Sequence, residues 1–178
     1  MPFEFKSLGL EGVRLVTPKV FGDERGFFME TYARKDFEPA GIRVEFVQQN
    51  HSRSVRGVLR GLHFQREPYS QAKLVRCISG EVLDVAVDVR KGSKDFGRHV
   101  TAVLSEENKH IIFVPRGFAH GFLTISDVAE VEYMVDNVYA PAHEAGVIWN
   151  DPRIGVDWSI SEPTLSDKDK RWPGLSEL

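Results

Sequence analysis

Short runs of alternating apolar and polar residues fill most of this chain, and Gly, Pro, Asn or Asp closes nearly every run. That pattern belongs to half-buried β-strands separated by turns. Residues 13–18 (Val-Arg-Leu-Val-Thr-Pro) predict a first strand stopped by Pro18, and a turn cluster over 21–26 leads into a second strand over 27–32. Arg34 to Ala40 suits a short helix ahead of Gly41. Residues 43–49 alternate like a strand and stop at Asn50-His51-Ser52, whose polar side chains suit a turn. Gly57 to Gln65 and Lys73 to Gly80 then predict a central hairpin joined through Arg66-Glu67-Pro68-Tyr69-Ser70. Side chains alternate faces along a strand, so His63 and Gln65 should point one way and Leu62 and Phe64 the other, while Lys73, Val75 and Cys77 share a face. A histidine, a glutamine and a lysine can thereby converge inside a barrel. Further strands are expected over 81–89, 98–104, 110–115, 116–124 and 129–136, and a tail rich in Pro, Asp and Trp should pack over the barrel with a helical turn near 166–170. About ten short strands at near-regular spacing predict an all-β, antiparallel sandwich or barrel.

Composition narrows this picture. The 178 residues suffice for one well-buried core and are few for two, which predicts a single domain over 1–178. Basic and acidic residues are interspersed with a net charge of -3, so there is no polybasic footprint for nucleic acid or a membrane surface. No apolar run approaches the roughly 20 residues that span a bilayer, and the N-terminus lacks a signal-peptide core. The one cysteine, Cys77, excludes an intrachain disulfide and a cysteine-built metal site, and reads as a buried inert thiol. A reducing cytoplasm is expected.

Two spacings carry the chemistry. Gly57, five residues, His63, followed by Lys73, six residues, Gly80, traces the outline of the first cupin motif, and Pro115-Arg-Gly117-Phe-Ala-His120 traces the second. Metal-binding cupins place a second histidine where Gln65 stands and a glutamate where Lys73 stands. An ammonium has no lone pair for a metal and repels one. His63 and His120 alone fall short of the three or four protein ligands of a catalytic zinc or iron site. The pattern predicts a cupin barrel without a metal and with no cofactor; no Gly-x-Gly-x-x-Gly fingerprint or P-loop is present.

Five stretches then occur in one order: Asp23-Glu-Arg25-Gly26-Phe27-Phe28-Met-Glu30, Gln48-Gln49-Asn50-His51-Ser52, Leu59-Arg60-Gly61-Leu62-His63-Phe64-Gln65, Val114-Pro-Arg-Gly-Phe-Ala-His120-Gly-Phe122 and Ile148-Trp149-Asn150-Asp151. Together they resemble the dTDP-4-dehydrorhamnose 3,5-epimerase family of the cupin superfamily over essentially the whole chain. The resemblance implies an antiparallel jelly-roll barrel with short helical segments near both termini, a homodimer, and a dTDP-4-keto-6-deoxy sugar as substrate. It implies His63 as base, Asp169 as its partner, Tyr133 as the acid on the opposite face and Lys73 against the substrate carbonyl. Arg25, Phe27, Glu30, Gln48, Gln49, Asn50, Arg60, His120, Glu144 and Lys168 would bind the nucleotide sugar, with Phe27 stacked on thymine and arginines on the pyrophosphate. Of the adjacent Phe27 and Phe28, one should then be a core residue. Gln49 departs from the Asp that many relatives carry, and Asp169 is chosen over Asp167 on the Ser-x-Lys-Asp pattern.

These residue types suit epimerisation beside a ketone. A proton must leave one face and return to the other while an enolate is held between. A histidine oriented by a carboxylate is a base near neutral pH. A tyrosine is a competent acid toward a carbanion-like intermediate. A lysine ammonium at the carbonyl oxygen supplies electrostatic stabilisation. Taken singly, the same residues have plainer readings: Lys73 as a solvated edge charge, Tyr133 as an aromatic in the barrel wall, Asp169 as part of an exposed charged turn, and His120 as a remnant of metal-binding ancestors. Asp84 can be a buried partner for Lys73 or His63, or the polar side of its strand. Three rivals stand beside the two-centre epimerase: an epimerase acting at C3 or C5 alone, a metal-dependent cupin, and a non-catalytic cupin that only binds a sugar nucleotide.

Overall fold

In the computed structural model, which describes residues 2–178, the alternation resolves into thirteen strands and one short helix among the described residues. In chain order these are β1 (Phe3–Ser7), β2 (Arg14–Pro18), β3 (Val20–Asp23), β4 (Gly26–Met29), α1 (Arg34–Phe37), β5 (Gln48–Val55), β6 (Leu59–Gln65), β7 (Lys73–Ser79), β8 (Glu81–Asp88), β9 (His99–Ser105), β10 (Ile111–Val114), β11 (Phe118–Thr124), β12 (Val128–Val135) and β13 (Glu144–Gly146). Two antiparallel sheets carry the fold, one in the order β1-β2-β10-β7-β12-β5 and the other β13-β6-β11-β8-β9; β3 and β4 form a separate hairpin. The expected jelly-roll barrel is present.

The two faces of each sheet are buried by different partners. Val75, Cys77, Ile112 and Val131 from the first sheet meet Val82, Ala86, Phe118 and Phe122 from the second in the space between them. On β8 the intervening Val85 and Val87 point outward, with Leu59, Leu62, Ala119 and Leu123, under Val147, Ile154, Trp158 and Leu175 of the C-terminal segment. Phe37 and Ile42 cover the outer side of the first sheet over Phe3, Val16, Leu74 and Phe113. Strands buried on both faces lose strict apolar alternation, which is why β8, β10 and β11 read as nearly continuous apolar runs.

Four local expectations change. Residues 57–80 are not a hairpin: β6 lies in the second sheet and β7 in the first, so the connection over 66–72 crosses between sheets and leaves the two strands facing each other. The strand placed at 43–49 begins only at Gln48 and runs through the supposed turn at Asn50-His51-Ser52 to Val55. This strand is a sheet edge, hydrogen-bonded among the described strands to β12 alone, and its polarity reflects one face lining a cavity and the other facing solvent. Part of the 21–26 turn cluster belongs to β3, and the following strand stops at Met29. Phe3–Ser7 adds an unanticipated strand paired with β2. The early helix and the late helical turn fall close to expectation, at Arg34–Phe37 and Asp169–Arg171.

One irregularity positions the site. His120 on β11 pairs with His63 on β6, yet Phe122 pairs with Arg60, so β6 carries one extra residue between them. This bulge lets Arg60 and His63, three positions apart, face the same way. It needs bare backbone on both strands: a Cβ on Gly61 would meet the Gly121 Cα at 2.6 Å, and one on Gly121 would meet the Arg60 carbonyl oxygen at 2.7 Å.

Candidate active site

Between the sheets, at the end not filled by apolar side chains, lies a cavity of about 760 Å³. That is the size of a small-molecule site. β6 and β11 bring Arg60, His63 and His120 to one wall, while β7, β12 and β5 bring Lys73, Tyr133, Gln48 and Asn50 to the facing wall. Glu144, Lys168 and Asp169 close it from the C-terminal side. His63 and Tyr133 therefore stand on opposite walls.

His63 Nε2 lies 2.5 Å from Asp169 Oδ1, and Asp169 is buried. Burial alone would raise the Asp169 pKa, but hydrogen bonds from His63, Ser166 and Trp172 outweigh it and hold the carboxyl below the usual range. An ionised carboxylate only accepts, so Nε2 carries the proton and Nδ1 is the nitrogen with a lone pair. Lys73 is pushed down to about 8 by burial, against the opposing pull of the Asp84 and Glu144 charges. Its ammonium sits 6.0 Å from the centroid of the Tyr133 ring. Burial raises the Tyr133 pKa, with the Arg60 charge acting in the other direction, so the phenol stays protonated at neutral pH.

Asp84, one of the open readings, bonds neither Lys73 nor His63. Its Oδ2 accepts from His120 Nε2 at 2.8 Å, with both residues buried, and among the described residues its Oδ1 has no hydrogen-bond partner. Among the described residues no group of three or more His, Cys, Asp or Glu side chains is arranged to hold a metal ion. Gln65, at the second-histidine position of a metal-binding cupin, is spent on backbone: its amide donates to the Tyr69 and Val138 carbonyls and its oxygen accepts from the Ala140 N–H. This staples the loop carrying Tyr139 over the cavity mouth. The Tyr139 hydroxyl donates to Glu144 at 3.1 Å, and Lys168 donates to the other Glu144 oxygen at 2.6 Å.

Four of the expected binding residues lie elsewhere. Gln49 faces out from β5, beside Tyr32, Arg76 and Met134. Arg25 and Glu30 are exposed at the turn and the end of the β3–β4 hairpin, where Arg25 pairs with Asp23. Phe27 is 60% exposed and Phe28 66%, so neither of the two is a core residue, contrary to expectation. A separate two-stranded hairpin has no second layer to bury either face. Residues that sequence reasoning did not single out are Tyr139, Ser166 and Trp172, all from connections without a strand pattern to flag a face.

Comparison with known proteins gives a consistent result. A family model described as dTDP-4-dehydrorhamnose 3,5-epimerase matches residues 7–177. The chain is 57% identical over 158 residues to the dTDP-4-dehydrorhamnose 3,5-epimerase of Shigella flexneri, covering 88% of this chain and 87% of that protein. The crystal structure of the dTDP-4-dehydrorhamnose 3,5-epimerase from Elizabethkingia anophelis is similar with a TM-score of 0.95 at 44% identity, over 99% of this chain and 98% of that one. The dTDP-6-deoxy-D-glucose-3,5-epimerase of Legionella pneumophila, in complex with dTDP-4-keto-L-rhamnose, matches with a TM-score of 0.94 at 43% identity, over 98% and 93% of the two chains.

Proposed function

The chain belongs to the dTDP-4-dehydrorhamnose 3,5-epimerase family, and we propose that it inverts dTDP-4-keto-6-deoxy-D-glucose at C3 and C5 to dTDP-4-keto-L-rhamnose with its own side chains alone. The observation that carries this reading is a histidine with a buried carboxylate partner facing a protonated tyrosine across a cavity that also holds a lysine ammonium. His63 Nδ1 takes the proton beside the ketone, the Asp169 carboxylate stabilises the imidazolium, and Lys73 stabilises the enolate oxygen. Tyr133 returns a proton from the other wall. Each inversion thus takes one proton from one face and delivers another to the opposite face, with no change of oxidation state. Arg60, Gln48, Asn50, His120, Glu144 and Lys168 bind the remainder of the nucleotide sugar. No helix among the described residues is long and apolar enough to cross a membrane; a reducing cytoplasm suits the buried free thiol of Cys77.

The test is solvent deuterium incorporation into the substrate, incubated with the purified protein in D₂O and read by position. Label at both C3 and C5, undiminished by a chelator, is expected. Label at one position would move the protein to the single-centre epimerases. Substrate binding without label would leave a cupin that holds the sugar nucleotide and does nothing to it.

We further infer that the enzyme works as a homodimer. Val20, Phe21, Phe27 and Phe28 cluster on one small hairpin and are 40%, 51%, 60% and 66% exposed. Such a patch on a protruding arm suits a second copy of the chain. A second copy would also reconcile the family assignment with the positions of Arg25, Phe27 and Glu30, which could then reach the partner's cavity. Replacing Phe21 and Phe28 with serine is expected to yield a folded monomer by analytical ultracentrifugation, with weakened dTDP binding. A variant that sediments as a dimer would exclude this arm as the interface.

A further inference from the structure

We propose that Trp172 is a positioning residue for the His63–Asp169 pair, fixing the carboxylate that in turn fixes the imidazole. The inference rests on the reading of His63 as the base. The Trp172 indole N–H donates to Asp169 Oδ1 at 3.2 Å, the same oxygen that receives His63 Nε2. One carboxylate oxygen therefore joins two rings, and these rings also meet edge to face, with centroids 6.1 Å apart and planes at 66°. An aspartate side chain rotates freely about χ2 unless its oxygens are held. Here the Trp172 donor leaves Oδ1 one orientation in which both bonds are made.

The backbone around Trp172 is arranged to keep the ring there. On β13, Gly146 is the register partner of His63. A Cβ at Gly146 would lie 2.6 Å from the indole ring, so the absence of a side chain opens the slot the ring occupies. Next along the chain, Ile148 N–H donates to the Pro173 carbonyl at 2.9 Å, tying the residue after Trp172 to the segment following β13. On the other side of Asp169, its own N–H donates to Ser166 Oγ at 3.2 Å. The aspartate is thus held from its backbone by one neighbour and at its carboxylate by another. The chain reverses around it in the short helical turn Asp169–Arg171.

A ring that merely filled space would tolerate loss of its N–H, whereas a positioning residue would not. The deciding variant replaces Trp172 with 3-benzothienylalanine, which keeps the two-ring outline and puts sulfur where the N–H was; Trp172→Phe is its genetic counterpart. Each is made alone and together with Asp169→Asn, and kcat, KM and dTDP affinity are measured. A partner one step removed from a reacting group is commonly worth about ten- to a hundredfold in activity. We expect a fall in kcat of that order with KM and dTDP affinity unchanged, and no further fall when Asp169→Asn is already present, since groups acting through one another are not additive. The low-field NMR signal of the His63 Nε2 proton should also broaden or disappear. Full activity in the benzothienyl variant, or an equal additional loss on the Asp169→Asn background, would overturn the proposal and leave the ring as packing. Should His63→Ala itself keep full exchange, the reading of the base fails instead, and the two failures remain distinct.

Discussion

His63→Ala is expected to lower epimerisation by roughly a thousandfold, the middle of the range for a removed general base, while dTDP affinity stays near wild type. The split follows from what the imidazole touches. The His63 imidazole makes a single hydrogen bond among the described residues, to Asp169, and the ring lines the cavity. The nucleotide would be held by other groups, with arginines best suited to its phosphates. Exchange of substrate deuterium into water isolates the step, because it reports proton removal whether or not inversion follows. A His63→Ala protein that still exchanges at the wild-type rate would sink the base assignment, and Tyr133 would become the group to test next. A parallel loss of dTDP binding would place His63 in recognition instead of chemistry.

The strands were legible wherever a face was buried against something the sequence itself supplies. β8 and β12 lie close to where apolar alternation puts them, because their inward and outward residues meet packed neighbours. β5 was recognised only at its first two residues because its inner face lines the cavity and its outer face meets solvent, so Asn50 to Ser52 looks like a turn although it is fully paired to β12. The sheet assignment of β6 and β7 was hidden for a different reason. Local sequence specifies a strand but not which of two sheets receives it, and residues 66–72 can close a hairpin or cross a barrel. The face on which His63, Gln65 and Lys73 converge survives that error, since it depends only on side-chain parity within each strand. Arg60 joins them through a bulge whose one sequence trace is Gly61 inside a strand. The pairing of Asp169 with His63 spans most of the chain and has no local signal; only the motif resemblance pointed to it. Trp172 had not even that, because a tail without periodicity gives no face to read.

Lys73→Met is expected to reduce kcat by about a hundred- to a thousandfold, the loss typical of a deleted oxyanion partner in a dry site. The same substitution should make the protein more resistant to urea. Both effects come from one cause, the burial that pushes the ammonium down to about 8. The protonated form is the one that stabilises an enolate, so wild-type kcat/KM should fall as the pH rises through about 8. Lys73→Met should have lost that limb, and Lys73→Arg, whose guanidinium stays charged, should keep part of the activity without the fall. The stability effect carries the opposite sign. Below about 8 the folded and unfolded chains both hold the proton, and the folded state bears the full penalty of a buried charge. From there to the ordinary lysine range near about 10, the folded state releases its proton while the unfolded chain keeps it, and the penalty fades. Methionine fills nearly the same volume with no charge to bury, so the stability it adds should be largest at pH values below about 8 and shrink above it. An alkaline limb that persists unchanged in Lys73→Met would assign it to another group. A Lys73→Met protein no more stable than wild type at neutral pH would show that the ammonium is better solvated, and a weaker partner for an enolate, than its burial implies.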